Sequence, residues 1–182
     1  MKWESIKLGD CVTINGGGTP NRKKKNYWNG NILWATVKDF KSLELRTTQE
    51  AITEEGLHHS SANLIPANTI IIPTRMALGK VAINTVPMAI NQDLKALLIT
   101  DNQKIDRAYL MRYLLFNAKY IEKNGSGATV KGVTLDFLRN IFIPPPIKTQ
   151  KRIVAVLDRA GSDRQAQRAD RPHGSAYPEH FL

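Results

Sequence analysis

The chain has 182 residues, 42% of them hydrophobic, and a formal net charge of +10. That length and apolar content exclude a disordered chain and suit one domain with a core plus an appendage. The single cysteine, Cys11, excludes a disulfide framework. The positive surplus points to a polyanion such as nucleic acid, with plain solubility as the alternative.

Trp3, Ile6, Leu8 and Val12 alternate with polar residues and predict a first strand up to Asn15. Cys11 reads as a small core residue. The segment Met1 to Asp10 has no apolar run of the signal-peptide kind, and no stretch approaches a membrane span. A soluble cytoplasmic protein with no membrane partner is the expectation. Gly16, Gly17, Gly18, Thr19 and Pro20 then break the strand. No P-loop lysine and hydroxyl follow in register, so this reads as a flexible turn whose backbone approaches another surface closely. Arg22, Lys23, Lys24 and Lys25 come next, beside Tyr27 and Trp28. They suit a phosphate-tracking loop or a solvated face. Trp28 and Trp34 sit among apolar neighbours and read as core, and Ile32 to Val37 reads as a strand.

Ile52, Thr53, Gly56 and Leu57 suggest a short helix or turn. His58 and His59 are adjacent in a polar loop without cysteine or carboxylate partners, so neither a metal site nor a cofactor is expected. Leu64, Ile65 and Pro66 form a proline-stopped apolar piece. The continuous apolar run Ile70, Ile71, Ile72 predicts a buried strand from Thr69 to Pro73. Thr74 and Arg75 follow it, and Gly79 and Lys80 turn the chain into a second strand at Val81 to Ile83. Ala89 and Ile90 lead to Asn91, Gln92 and Asp93, and Leu97 to Ile99 predicts another strand. Tyr109 to Tyr120 reads as one amphipathic helix, with Tyr109, Leu110, Tyr113, Leu114 and Phe116 on its apolar face.

The stretch Lys123 to Asp158 carries the densest signals. Gly125, Ser126 and Gly127 form a polar loop, to which Thr129 and Lys131 add a hydroxyl and a cation. Thr134 is a candidate N-cap for a short helix through Leu135 and Leu138. Ile141 to Ile143 predicts a short edge strand, stopped by Pro144, Pro145 and Pro146. A second helix begins near Thr149, with Ile153, Val154, Val156 and Leu157 on its apolar face. Its repeat lapses after Ala160, where Arg164 and Gln167 take the next places, and Pro172, Gly174 and Pro178 oppose a long helix. Disorder or a loose terminus is expected after about Asp170.

Catalytic chemistry is hard to find. Asp93, Leu94 and Lys95 imitate half of a metal-dependent nuclease motif, but no carboxylate lies between Glu55 and Asp93. Ile143 to Pro146 is similar to the tetrapeptide of amino-methyltransferases, with Ile143 where Asn or Asp is required. No triad spacing occurs. The expectation is a protein that is not an enzyme.

Several pieces in one order carry a resemblance. Trp3 with Leu8, Gly9 and Asp10 precedes Gly16 to Pro20. Tyr27, Trp28, Gly30, Ile32 and Trp34 follow, with Asp39 behind. Then come Gly56 and Leu57, Ser60 to Ala62, Leu64 to Pro66, Arg75 with Leu78 to Lys80, and Asn91 with Gln92. The glycine-serine loop, the proline triplet, Gln150, Ile153, Leu157 and Asp158 close the series. Together these resemble a target recognition domain of the specificity subunit of type I restriction-modification systems. The resemblance implies an α/β fold with a mixed, irregular β-sheet and short helices, followed by the start of a long C-terminal spacer helix. It divides the chain into a recognition domain at 1–147, a partial spacer helix at 148–169 and a tail at 170–182. In the family, two such domains each read half of a split sequence in double-stranded DNA. Spacer helices dock the methyltransferase subunits, which modify adenine, and the restriction subunits.

Arg22, Lys23, Lys24, Lys25, Thr74, Arg75, Lys80, Ser126, Thr129 and Lys131 are the expected DNA contacts, each with a solvent-exposed polar residue as its alternative. Asn91 and Gln92 suit adenine, and equally suit holding backbone in a turn. Ile153, Val156, Leu157 and Ala160 form the expected partner face of the spacer helix. With one recognition domain, the chain reads either as a half-length subunit that pairs with a second copy or as a truncated, inactive remnant. A basic protein-interaction module is the competing class.

Overall fold

The computed structural model describes residues 5–169. The expected opening strand is split into β1 (Ile6–Lys7) and β2 (Val12–Gly16) by a 3₁₀ turn at Leu8–Asp10. Leu8 is fully buried, and its N–H donates to the Ile141 carbonyl at 2.8 Å, so the chain bends inward there. β3 (Trp28–Ala35) starts earlier than expected because Trp28 joins the ladder opposite Ile52. β4 (Glu44–Leu45) and β5 (Glu50–Ile52) precede α1 (Glu54–His58), whose first turn is capped by Thr53 Oγ1 accepting from Gly56 N at 3.0 Å. Then come β6 (Leu64–Ile65), β7 (Ile70–Pro73), β8 (Ala82–Asn84), β9 (Met88–Ile90) and β10 (Leu94–Ile99).

The expected helix from Tyr109 to Tyr120 is two helices, α2 (Arg107–Phe116) and α3 (Ala118–Lys123). The interruption falls at Asn117, whose backbone takes φ −91° and ψ 14°; its side-chain amide donates to the Tyr113 carbonyl at 2.8 Å, beside the ordinary helical bond from its N–H at 3.0 Å. Phe116, expected on the apolar face, is 88% exposed as a result of its place at the end of α2. α4 (Leu135–Arg139) is capped by Thr134 as expected, with Phe137 N donating to its hydroxyl at 3.1 Å. β11 (Phe142–Ile143) precedes the proline triplet, and α5 (Ile147–Ala169) follows it. The helix persists through the positions where its apolar repeat lapses. The expected loose tail from 170 onward lies outside the described residues.

Three sheets result among the described residues. β1 and β11 pair antiparallel. A five-stranded sheet has the order β2-β10-β7-β8-β4, and a four-stranded sheet the order β5-β3-β9-β6. Both larger sheets mix parallel and antiparallel pairs. The strand period explains how they pack. Ile70 and Ile72 point into a core shared with Leu110, Leu114 and Leu138, whereas Ile71 points the other way, among Ile65, Met88 and Ile90. β7 is therefore buried on both faces, which is why its sequence is continuously apolar. A smaller cluster of Ile32, Trp34, Ile52, Ala62 and Ala89 fills the far side of the four-stranded sheet.

α5 is fastened at its start. Gln150 is fully buried; its oxygen accepts from Asp106 N at 2.9 Å, and its amide donates to the Lys104 and Pro145 carbonyls at 3.1 and 2.8 Å. An Arg112–Asp158 ion pair adds a second tie. Val154 packs on the core. Ile153, Val156 and Leu157 do not: they are exposed.

Candidate nucleic-acid interface

The glycine loop is held, not flexible. Gly18 N donates to the Ile90 carbonyl at 3.0 Å, and the Gly18 carbonyl accepts from Trp34 Nε1 at 2.9 Å. A Cβ on Gly17 would stand 1.9 Å from the Ile90 carbonyl oxygen, so only glycine permits this approach. Asn63 Nδ2 donates to the Gly16 carbonyl at 2.9 Å. The expected close approach is real, and its target is the protein's own sheet.

This anchoring places Thr19 and Arg22 on one wall of a groove of about 790 Å³, with Lys38, Gln49, Glu50, Met76 and Gln92 among the other lining residues. Arg22 pairs with Glu50, its second terminal nitrogen 2.9 Å from Oε2. The Arg22 hydrogen bond holds the Glu50 carboxyl below the usual carboxylate range, and Glu50 raises the guanidinium further. Arg22 also lies 3.7 Å from the centroid of the Trp28 ring. Trp34 is buried, as expected, and Trp28 is half-buried with its ring edge-on to Trp34.

Gln92 is exposed and accepts from Thr19 Oγ1 at 2.6 Å. Asn91 is buried, and its Oδ1 accepts from Asp93 N at 3.1 Å, so of its two expected roles it fills the turn-holding one. Lys95 supports the same turn by donating to the Gln92 carbonyl at 2.7 Å, and burial lowers its ammonium pKa despite nearby Asp93.

Thr74 corrects a second expectation. It is buried, and its hydroxyl donates to the Asp93 carbonyl at 3.1 Å, so it is occupied inside the fold. Arg75 is exposed, its backbone bridged to Gly132. Ser126 and Gly132 exchange two backbone hydrogen bonds of 2.9 Å, closing the loop that carries exposed Thr129 and Lys131. Met76 N donates to the Lys131 carbonyl at 3.3 Å. The structure thus brings Arg22, Gln92, Met76, Arg75 and the Ser126–Lys131 loop onto adjoining elements. Lys80 stands apart, donating to the Phe40 carbonyl at 3.3 Å. Lys23, Lys24 and Lys25 are exposed, Lys24 near the Tyr27 hydroxyl at 3.1 Å.

Sequence reasoning missed Thr19, Glu50 and Met76. Thr19 was legible beside the glycines. Glu50 is 28 positions from Arg22 and carried no signal. Met76 takes a left-handed φ of 65° and is 61% exposed, which no periodicity announces.

Fold and groove together define an irregular α/β domain with a polar groove on one wall. Known proteins are similar to it. The family model described as "Type I restriction modification DNA specificity domain" matches residues 1–169. The specificity subunit of the type I restriction enzyme EcoR124I/EcoR124II of Escherichia coli is 35% identical over 165 residues, covering 87% of this chain and 40% of that subunit. That of MjaIX from Methanocaldococcus jannaschii is 29% identical, covering 85% and 37%. The HsdS subunit of Thermoanaerobacter tengcongensis superposes with a TM-score of 0.69 at 25% identity, over 93% of this chain and 40% of its own. The chain belongs to the type I restriction-modification DNA specificity family. It spans about 40% of the length of the relatives it matches.

Proposed function

We propose that residues 1–147 form one target recognition domain that reads a short sequence in double-stranded DNA, and that 148–169 begin a spacer helix. The family match over 1–169 is the observation that carries this reading. The groove beside Arg22 and Gln92, the adjoining Arg75 and Lys131, and the net charge of +10 support it. On this reading Arg75, Gln92, Ser126, Thr129 and Lys131 meet bases or phosphates, and Lys23, Lys24 and Lys25 meet phosphates.

The partners are a methyltransferase subunit and a restriction subunit in the cytoplasm. Ile153, Val156 and Leu157, exposed on α5, and half-buried Ala160 supply the surface they dock on, or on which a second copy completes the pair. Among the described residues no helix is long and apolar enough to cross a membrane. The test is a map of methylated adenines in the host with and without this gene. Loss of one methylated motif on deletion supports the reading. An unchanged map, with no salt-sensitive binding of duplex DNA, supports a protein-interaction module or an inactive remnant.

A further inference from the structure

Arg22 differs from the three lysines that follow it. Glu50 takes both of its terminal nitrogens. The Trp28 ring lies 3.7 Å beneath the guanidinium, and the Trp34 ring centroid 5.1 Å away. Trp28 Nε1 also donates to the Asn21 carbonyl at 3.3 Å, which ties the backbone next to Arg22 to the ring on which it stacks. Glu50 stands on β5, opposite Trp34 in the ladder. Side chain, carboxylate and ring are therefore fixed on one strand pair at the wall of the groove.

This arrangement is poor for a phosphate. The Glu50 carboxylate cancels the arginine's net charge, and an approaching phosphate meets that carboxylate as well as the guanidinium. It is good for a neutral acceptor. A guanidinium has five N–H donors, and the pair with Glu50 uses the end of the fork. The Nε edge stays available in a plane set by the stack.

We propose that Arg22 is a base-reading residue for a guanine edge, positioned by Glu50 and Trp28, and not a phosphate contact. The proposal rests on the DNA-reading function above. Guanine is the base whose major-groove edge offers two adjacent acceptors to such a fork.

The test selects bound duplexes from a randomised pool, using the full chain assembled with its modification subunit. Wild type is compared with Arg22→Ala, Arg22→Lys and Glu50→Gln, each checked for an unchanged melting temperature. Wild type selects a motif containing guanine. Both Arg22 variants lose preference for that one guanine by roughly tenfold or more. The rest of the motif and the salt slope stay unchanged, and Glu50→Gln shows a smaller loss at the same position. Replacing that guanine with 7-deazaguanine weakens wild type and leaves Arg22→Ala unaffected. Uniform weakening with a slope lower by about 1 overturns the proposal in favour of a phosphate contact. An unchanged motif and slope overturn it in favour of a surface ion pair. If wild type selects no motif at all, DNA reading itself fails. If Arg22→Ala unfolds, Arg22→Lys decides, since lysine keeps the charge and loses the fork.

Discussion

The Arg75 guanidinium stands 3.8 Å from the Asp93 carboxylate, an ion pair beyond hydrogen-bond reach. Asp93 is held without it: Asn91 Nδ2 donates to the carboxylate at 3.3 Å, and Asp93 N donates back to Asn91. Arg75 is 57% exposed, so the pair adds at most about 1 kcal/mol to stability. Its backbone is nonetheless fixed, since it stands two residues past the end of β7 and bridges Gly132. A rigid mount with an exposed head suits a specificity contact. Arg75→Ala is predicted to leave the urea midpoint nearly unchanged while losing about 1–3 kcal/mol of discrimination at one base pair. Cognate and single-base-variant duplexes at one salt concentration measure this. Equal weakening on all duplexes would identify a phosphate contact, and a lower midpoint a structural pair.

Gln150 is predicted to be the residue that fastens α5 to the domain. It is fully buried and bonds three backbone groups around Asp106, Lys104 and Pro145. Gln150→Ala strands those groups, which costs about 1–3 kcal/mol. Urea denaturation should show a lower midpoint with the same slope. Gln150→Glu should also destabilise, because a carboxylate cannot donate to the two carbonyls. A midpoint unmoved by either change would mean that water replaces the side chain at no cost.

Cys11 is fully buried, and burial, aided by Asp10, raises its thiol pKa from 9.0 to about 11. The folded state favours the protonated form, so this stabilisation is complete below the unfolded pKa and is lost as pH rises through about 11. At pH 8 the folded chain should therefore resist a thiol reagent that labels it at once in denaturant. Fast labelling of the native protein would show that the segment from Leu8 to Val12 opens readily.

What the sequence revealed depended on how local the cause was. The isoleucine run of β7 and the Thr134 cap act within a few residues, and both were readable. The split of the expected long helix falls at Asn117, whose side-chain amide shares the Tyr113 carbonyl with its own helical N–H. Its apolar spacing gave no warning. The candidate site was half legible. Arg22, Arg75 and Gln92 stand out by residue type, but Thr74 and Asn91 resemble surface residues until Asp93 is seen to occupy them. The Arg22–Glu50 pair depends on strand pairing across 28 residues, and a single sequence does not contain that register.

Lys23, Lys24 and Lys25 are the last case, and they contrast with Arg22. All three are exposed, and no carboxylate pairs with them among the described ion pairs. Lys25 opens a 3₁₀ turn at Lys25–Tyr27, and Lys24 lies 5.1 Å from the Tyr27 ring centroid. An unneutralised ammonium on a surface turn is a point charge, suited to displacing counterions from a phosphate and unsuited to reading a planar edge. Replacing all three with alanine is predicted to lower the slope of log affinity against log salt by up to about 0.9 for each lysine. The selected motif should stay the same, because phosphate contacts carry no sequence information. Binding titrations from low to moderate salt, on cognate and unrelated duplexes, measure both effects. A slope that does not move would reduce the run to a solvated face, and a changed motif would place one of these lysines against a base.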